Sequence, residues 1–244
     1  MNAYSDIEWQ MRCDLAATFR LSARFGLNAG LGNHFSLMLP GQTDRFLVNG
    51  HGLLFQEVTA SNLVDVDFAG HVHRGKWPVR KVAYDIHAPI HAANPAAKCV
   101  IHLHPPNITA LSMLDGGRLA LAHHDNLIVN DRVAYDDVMM GPAANLEEGA
   151  RLAAALGDKT IMVMANHGIL AVGPTVADAF HEMYVVEKVC GYQLLAMSSG
   201  EKLRQQPDSL RWHLRGAWGD TLDARLYLDA WRRILDREEP DYAS

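Results

Sequence analysis

Hydrophobic residues recur with helical spacing in six stretches of the chain. In the first, residues 6–27, one helical face carries Met11, Leu15, Phe19 and Ala23. Apolar residues that return every three or four positions are typical of an amphipathic helix packed on a core. The other predicted helices are residues 82–93, 105–114, 145–156, 175–197 and about 222–236.

Shorter apolar runs between these helices predict β-strands. The predicted strands are residues 34–39, 45–48, 63–68, 98–103 and 127–129, with a hairpin over residues 160–173. Helices alternate with short strands, and hairpins join several of the strands. We therefore predict an α/β fold, a three-layer α/β/α arrangement with a mixed, largely antiparallel central sheet.

The composition changes near residue 199, where the chain becomes polar and charged. We expect residues 1–198 to form one domain. Residues 199–244 are expected to be a C-terminal helical extension packed on that domain or on a neighbouring subunit. The apolar residues of this extension are Trp212, Trp218, Leu226, Leu228, Trp231 and Ile234.

Charge and composition narrow the classes of function. The net charge is −6, the isoelectric point is about 6.1, and 49% of the 244 residues are hydrophobic. Without a basic cluster, neither nucleic acid nor an anionic membrane is an expected partner. The first ten residues do not resemble a signal peptide, and no apolar run has membrane-spanning length. Three scattered cysteines are typical of reduced core residues, so a cytoplasmic location is expected.

The pair His102 and His104 is the strongest indication of chemistry. An apolar strand ends in it, and Pro105 and Pro106 follow as a helix start. Residues two apart on a strand point to the same side, where two imidazoles can share a transition metal. Thirteen histidines in 244 residues also produce about one such pair by chance. A second copy, at residues 71 and 73, lies in a polar stretch and predicts only a surface turn.

His167 is a third candidate ligand. It lies between two apolar runs, at Asn166-His167-Gly168, which predicts a tight hairpin tip. A histidine at such a tip is explained equally well by tolerance of an unusual backbone angle. The residues alone leave both interpretations open.

Four motifs in one order give the chain a family resemblance. They are Gly32-Asn33-His34-Phe35-Ser36, Gly52-Leu53-Leu54-Phe55-Gln56-Glu57-Val58-Thr59-Ala60-Ser61, Cys99-Val100-Ile101-His102-Leu103-His104 and Asn166-His167-Gly168. From about residue 6 to residue 197 the chain resembles the class II aldolase/adducin family, and its adducin-like branch in particular. The resemblance implies one divalent transition metal per subunit (zinc, manganese or iron) held by His102, His104 and His167. It also implies a homo-oligomer, a tetramer with active sites at subunit interfaces.

The chain departs from the sugar-phosphate aldolases of this family at one helix start. Those enzymes carry a Ser-Ser-Glu triplet, whose serines grip the substrate phosphate and whose Glu is the acid/base. The matching positions here are Lys81, Val82 and Ala83. Asp85 is about 200° further around the helix and is expected to be a solvated or capping acid. This is evidence against a sugar-phosphate aldolase.

The remaining candidate residues follow from the same comparison of positions. Arg80 and Lys81 are two cations suited to a carboxylate, although an exposed basic helix start explains them nearly as well. The candidates for substrate binding are Gly32, Asn33, Arg80 and His51. The candidates for catalysis are His123, His124, Lys81 and Tyr84, since histidine and tyrosine can transfer protons. With one residue of gap in the turn at residues 115–118, the histidine pair matches a His-Tyr pair that reaches a neighbouring subunit's site in the aldolases, although two adjacent histidines in a polar loop explain it nearly as well.

The expected function is a metal-dependent carbon–carbon lyase, with decarboxylation favoured. Its partner is a small-molecule carboxylic acid substrate, either a hydroxylated aromatic or an oxo acid. Decarboxylation starts from a group that is already ionised, so loss of the Glu harms it less than aldol cleavage. Three alternatives stay open: an aldolase acting on a non-phosphorylated substrate, an Fe(II)-dependent oxygenase, and a non-catalytic adducin-like binding module.

Overall fold

The chain folds around a single eight-stranded sheet in the described part of the protein. The computed structural model describes residues 4–138, 145–207, 209–210 and 223–244. The strands are β1 (His34–Met38), β2 (Arg45–Val48), β3 (Val64–Asp67), β4 (Val72–Arg74), β5 (Cys99–Leu103), β6 (Val133–Asp136), β7 (Ile161–Met164) and β8 (Gly168–Gly173). Their order is β4-β3-β2-β1-β5-β8-β7-β6, and every neighbouring pair is antiparallel except β6 and β7.

Helices cover both faces of this sheet. They are α1 (Asp6–Arg24), α2 (Lys81–Ala93), α3 (Pro106–Ser112), α4 (His124–Val129), α5 (Leu146–Leu156), α6 (Val176–Met197) and α7 (Ala224–Glu238). The larger core joins one sheet face to α1, α3 and α6, and a second core joins the other face to α2 and α5. The predicted three-layer α/β/α fold with a mixed, largely antiparallel sheet is confirmed.

The alternation of the central strands decides which side chains face α2. Ile101 and Leu103 of β5 belong to the core beneath α1 and α6, whereas Val100 belongs to the core beneath α2 and α5. His102 therefore shares the face of Val100. In the antiparallel register His34 of β1 lies opposite His102. The start of β1 and the end of β5 thus present two histidines at the same end of the sheet.

The C-terminal helix α7 packs on α1 and α6. The Trp231 ring lies 5.6 Å from that of Phe180 and 5.5 Å from that of Phe25. The Arg20 guanidinium donates to the Asp241 carboxylate at 2.7 Å. Trp212 and Trp218, which were expected to belong to this extension, lie outside the described residues. None of the described helices combines the length and apolar character needed to cross a bilayer.

Two local predictions are wrong. Residues 127–129 form the end of helix α4, and the strand of this region is β6, six residues later. A short apolar run has no periodicity of its own and is compatible with either element, and here a helix capped by the His123 side chain is formed. Residues 71–73 are exposed, as predicted, but residues 72 and 73 belong to the edge strand β4 and not to a turn, and His73 is hydrogen-bonded to Asp67 at 3.0 Å.

Candidate metal centre

Three histidines from separate segments meet at one end of the sheet. His102 is the penultimate residue of β5, His104 follows the strand, and His167 directly precedes β8. One ring nitrogen from each lies within 4.8 Å of the others. The ring centroids are 4.8 Å apart for His102 and His104 and 4.9 Å apart for each of the other two pairs. This spacing can hold one metal ion and leave positions open for a substrate.

The tautomer of His102 suits a metal ligand. Its Nδ1 lies 3.1 Å from the carbonyl oxygen of Ile169, which can only accept, so Nδ1 carries the proton. Nε2 therefore carries the lone pair, and it lies 3.1 Å from Nε2 of His104. A backbone carbonyl behind a ligating imidazole is the usual support for such a site. The donor set therefore fits a divalent transition metal.

Burial keeps these imidazoles neutral. It lowers the pKa of His104 to about 4 and holds the pKa of His102 well below its ordinary value, with neighbouring histidines adding to both shifts. Burial also lowers the pKa of His167. Neutral rings with free lone pairs are what a metal requires.

The backbone around His104 and His167 leaves little room for other side chains. A Cβ atom on Gly168 would lie 2.4 Å from the Leu103 carbonyl oxygen and 2.8 Å from Cδ2 of His104. The hairpin tip places its positive φ, 55°, at Asn166 rather than at His167. An unusual backbone angle therefore does not explain the histidine, and the interpretation as a ligand is the one the geometry favours.

Helix α3 begins at Pro106, two residues after His104, and a side chain of α6 holds its first turn. The buried Glu187 carboxylate on α6 accepts from the backbone N–H groups of Asn107 and Ile108 at 3.0 and 2.9 Å. It also accepts from the Asn107 side chain at 2.7 Å. These bonds hold the start of α3 and, with it, the position of His104.

A small crevice beside the three histidines contains several of the predicted substrate-binding residues. Its lining includes Asn33, His34, His51, Arg80 and Ala83. Asn33 is buried, and its Oδ1 accepts from the Ala29 N–H at 2.6 Å, whereas its Nδ2 has no partner in the described residues. Gly32 links this crevice to the triad, since a Cβ there would lie 3.9 Å from Cε1 of His104. The polar side chains that line the crevice are the Arg80 guanidinium, the amides of Asn33 and Asn49 and the imidazoles of His34 and His51, and no carboxylate is among them.

Three residues that follow Arg80 on α2, Lys81, Tyr84 and Asp85, have surroundings that differ from those predicted. Asp85 is only 1% exposed and accepts from Lys81 at 2.5 Å, so the prediction of a solvated or capping acid is wrong. Burial of this carboxylate is possible because the Lys81 ammonium pairs with it. Tyr84 packs over Gly70, where an added Cβ would lie 2.7 Å from its ring. The structure brings neither Lys81 nor Tyr84 into the lining of the crevice.

His123 and His124 form a separate group at the start of α4. His123 Nδ1 accepts from the Asp125 N–H at 3.3 Å, and His124 Nε2 lies 2.9 Å from the Asp125 carboxylate. The His123 ring lies 5.1 Å from the Tyr192 ring of α6 and is tilted against it by 39°. Within one chain these residues are not among those that contact the triad or line the crevice.

Sequence reasoning missed a buried network behind the crevice. His87 and His91 of α2 bond to Ser36 of β1, and His87 also bonds to His34. The sequence does contain spacings that place these residues in pairs on one face. His34 and Ser36 are two apart on a strand, and His87 and His91 are four apart on a helix. Their meeting depends on how α2 lies across the sheet, which spacing alone does not reveal.

Comparison with known proteins agrees with this architecture. The model of the class II aldolase and adducin N-terminal domain matches residues 13–194. A Caulobacter vibrioides protein named for class 2 aldolases is 38% identical over 243 residues, 98% of this chain and 94% of that protein. The crystal structure of an aldolase II superfamily protein from Pseudomonas syringae is 34% identical, with a TM-score of 0.91 and coverage of 99% of this chain and 98% of that one.

Adducins are similar over a shorter region. Mouse alpha-adducin (Mus musculus) is 34% identical over 201 residues, which is 81% of this chain but 27% of the adducin. The similarity thus lies in the domain that carries the triad and leaves most of the adducin unmatched. With the family match, the relatives and the solved structure in agreement, the chain belongs to the class II aldolase/adducin family.

Proposed function

We propose that this protein is a metal-dependent carbon–carbon lyase that decarboxylates a small hydroxylated aromatic or oxo carboxylic acid. The observation that carries the proposal is the pairing of two neighbouring features. One is a three-histidine centre with open positions. The other is a crevice that offers Arg80 and Asn33 to an anion but has Ala83 where the aldolases have a Glu.

His102, His104 and His167 would hold one zinc, manganese or iron ion, in keeping with the divalent metal of class II aldolases. When bound, such an ion supplies Lewis-acid stabilisation of negative charge on a substrate oxygen. The protein's own part is to keep three imidazoles neutral, oriented and partly shielded from water. The Ile169 carbonyl and Glu187 serve that purpose.

The crevice suits a carboxylate better than a phosphate. The guanidinium of Arg80 matches the two oxygens of a carboxylate, and the unused Nδ2 of Asn33 adds a second donor. Both serine positions of the aldolase phosphate site are absent, because Lys81 and Val82 occupy them. His51 lines the same crevice and would contact the bound acid.

The absence of a carboxylate at residue 83 favours loss of carbon dioxide over aldol cleavage. Aldol cleavage needs a base to take a hydroxyl proton, whereas a carboxylate is ionised before the reaction begins. The electron pair left by carbon dioxide then needs a proton. We propose that His123 and His124 of a neighbouring subunit supply it, in the tetramer expected for the family. Lys81 and Tyr84 receive no catalytic part, since Asp85 and Gly70 are their neighbours.

Metal analysis joined to a product screen tests the proposal. Protein purified without added metal is analysed for its metal, then assayed with hydroxybenzoates and 2-oxo acids for carbon dioxide release. We expect release from at least one acid, and a loss of more than about 100-fold in His104→Ala, since even supporting residues of metal sites cost 10–100-fold. His73→Ala, an exposed histidine on β4, is the control and should retain full activity.

A second variant tests the carboxylate site. Arg80→Gln should raise KM by about 10- to 100-fold, the value of a charge-assisted hydrogen bond. Arg233→Gln, at an exposed arginine on the C-terminal helix α7, should leave KM unchanged. Aldehyde release instead of carbon dioxide, oxygen consumption by an iron-loaded protein, or metal retention with no turnover of any acid would each overturn the decarboxylase in favour of one alternative.

A further inference from the structure

A continuous chain of hydrogen bonds runs through the buried face of α2 and ends at His34. His91 Nδ1 lies 2.6 Å from the Ala97 carbonyl oxygen, and His91 Nε2 lies 2.8 Å from Ser36 Oγ. Ser36 Oγ lies 2.6 Å from His87 Nδ1, and His87 Nε2 lies 2.9 Å from His34 Nδ1. All four side chains are buried.

The carbonyl at one end dictates the direction of every bond. Because the Ala97 oxygen can only accept, His91 Nδ1 carries a proton, and Nε2 of the neutral ring accepts from the Ser36 hydroxyl. Ser36 has a single proton, so its oxygen accepts from His87 Nδ1–H. His87 Nε2 then accepts from His34 Nδ1–H. Burial lowers the pKa of His87 and of His91, which keeps both rings neutral.

We propose that this chain locks His34 as the Nδ1–H tautomer and that its Nε2 accepts a hydrogen bond from a hydroxyl group of the acid bound at the mouth of the crevice. His34 is then a specificity-determining residue, which selects hydroxylated acids over their deoxy analogues. The inference rests on the proposed function and deepens it, because it names the feature of the substrate that the site recognises.

The position of His34 supports this assignment. It lines the crevice with Asn33, Arg80 and Ala83, and it lies opposite His102 in the sheet, with the two rings 5.1 Å apart. No described residue donates to its Nε2. The donors of Asn33 and Arg80 suit the carboxylate end of an acid that lies at the mouth of the crevice, because the crevice interior, about 10 Å³, has room for about one water molecule. A hydroxylated acid offers that carboxylate and a hydroxyl for Nε2.

The tautomer can be observed directly. A neutron crystal structure of the zinc-loaded protein should show deuterium on Nδ1 of His34, His87 and His91 and none on Nε2 of His34. Deuterium on His34 Nε2 would overturn the proposal. This readout needs neither turnover nor an identified substrate.

Binding of two small probes tests the selection. Dissociation constants of lactate and propionate are measured on the zinc-loaded protein by ligand-observed NMR. His34→Asn keeps a side-chain N–H that can reach His87 and removes the Nε2 acceptor. We expect it to weaken lactate about 5- to 10-fold, as the loss of one hydrogen bond does, and to leave propionate unchanged. An equal effect on both acids, or on neither, contradicts the proposal.

Ser36→Ala tests the chain at a residue remote from the bound acid. It interrupts the relay, so His87 and His34 lose their enforced tautomers and lactate should weaken while zinc content stays constant. Ser22→Ala is the matched control, because this buried hydroxyl donates only to the Thr18 carbonyl of its own helix. If Ser36→Ala leaves the lactate preference intact, the relay does not set His34.

The outcomes also separate this inference from the proposed reaction. The protein could decarboxylate none of the acids screened and still show an unprotonated His34 Nε2 and a lactate preference that depends on His34. That result would contradict the proposed decarboxylase and support the recognition role of His34. If the protein decarboxylates an acid, but wild type and His34→Asn bind lactate equally well and propionate equally well, the proposed reaction stands and the recognition role of His34 is wrong.

Discussion

Two groups of three side chains bring candidate metal ligands within 4.8 Å of one another, and they are built in opposite ways. His102, His104 and His167 come from two segments more than 60 residues apart and meet at the end of the sheet. His123, His124 and Asp125 are consecutive residues at the start of α4. His102 is buried and the other two triad members are half-buried, whereas His124 is exposed.

The difference lies in what holds the ligand atoms in place. His102 is oriented by the Ile169 carbonyl and His104 by the anchored start of α3. In the second group the side chains bond to one another and to their own helix, as His123 does in accepting from the Asp125 N–H. The N-terminal end of a helix also disfavours a cation. Proximity is therefore common to both groups, and the triad differs in that the Ile169 carbonyl and the anchored start of α3, two distant parts of the fold, orient its ligands.

The largest expected effect is the loss of metal from the triad alone. His167→Ala should lower zinc affinity by more than about 100-fold, since it removes a direct ligand and supporting residues already cost 10–100-fold. His124→Ala should leave zinc affinity and stoichiometry unchanged. Competition with a chromophoric chelator measures both. Two zinc ions per wild-type chain, one of them lost in His124→Ala, would contradict the distinction between the groups.

The buried histidines behind the crevice predict a pH dependence of stability. Burial lowers the pKa of His91 from 6.5 to about 4. Between these values the unfolded chain binds a proton that the folded chain does not. The free energy of unfolding should therefore fall as the pH is lowered from 6.5 to 4, by about 3 kcal/mol for this group, and should be fully recovered above pH 6.5.

Urea denaturation of metal-free protein across this range measures the effect. His91→Gln can keep bonds to Ala97 and Ser36 but cannot titrate, so its stability should vary less with pH than that of wild type. Ser22→Ala should show the wild-type slope. A slope in His91→Gln as steep as in wild type would show that His91 does not bind its proton differently in the two states.

The sequence was sufficient to predict the ligands of the triad, but not the partners of the side chains on α2. His102 and His104 follow from strand alternation, a local rule, and His167 from the hairpin and the family resemblance. The partners of Asp85 and Tyr84 depend on how α2 is rotated against the sheet, so Asp85 was wrongly expected to be solvated. The bond between His87 and Ser36 joins residues 51 apart and has no local signal.

The next largest effect is expected from a substitution at Gly168, where the hairpin packs closely against His104. Gly168→Ala places a Cβ against the Leu103 carbonyl and the His104 ring. We expect a loss of about 2 kcal/mol in the free energy of unfolding, within the range for overpacking, together with weaker zinc binding. Gly116→Ala is the comparison: it has a φ of 65° and open space, so it should cost about 1 kcal/mol of backbone strain and leave zinc binding unchanged. If both variants bind zinc equally well, the close packing at Gly168 does not help to position the metal ligands.

The smallest effect tests whether support from a distance matters to the triad. Glu187→Gln keeps the shape of the side chain but replaces one acceptor oxygen by an amide that faces the donors of Asn107 or Ile108. The start of α3 should shift and zinc affinity should fall by about 10-fold. Glu182→Gln, on the same helix but paired with Arg132, should lower stability without changing zinc affinity. If both variants bind zinc like wild type, His104 is held by β5 and its neighbours alone, and the anchored helix start serves stability only.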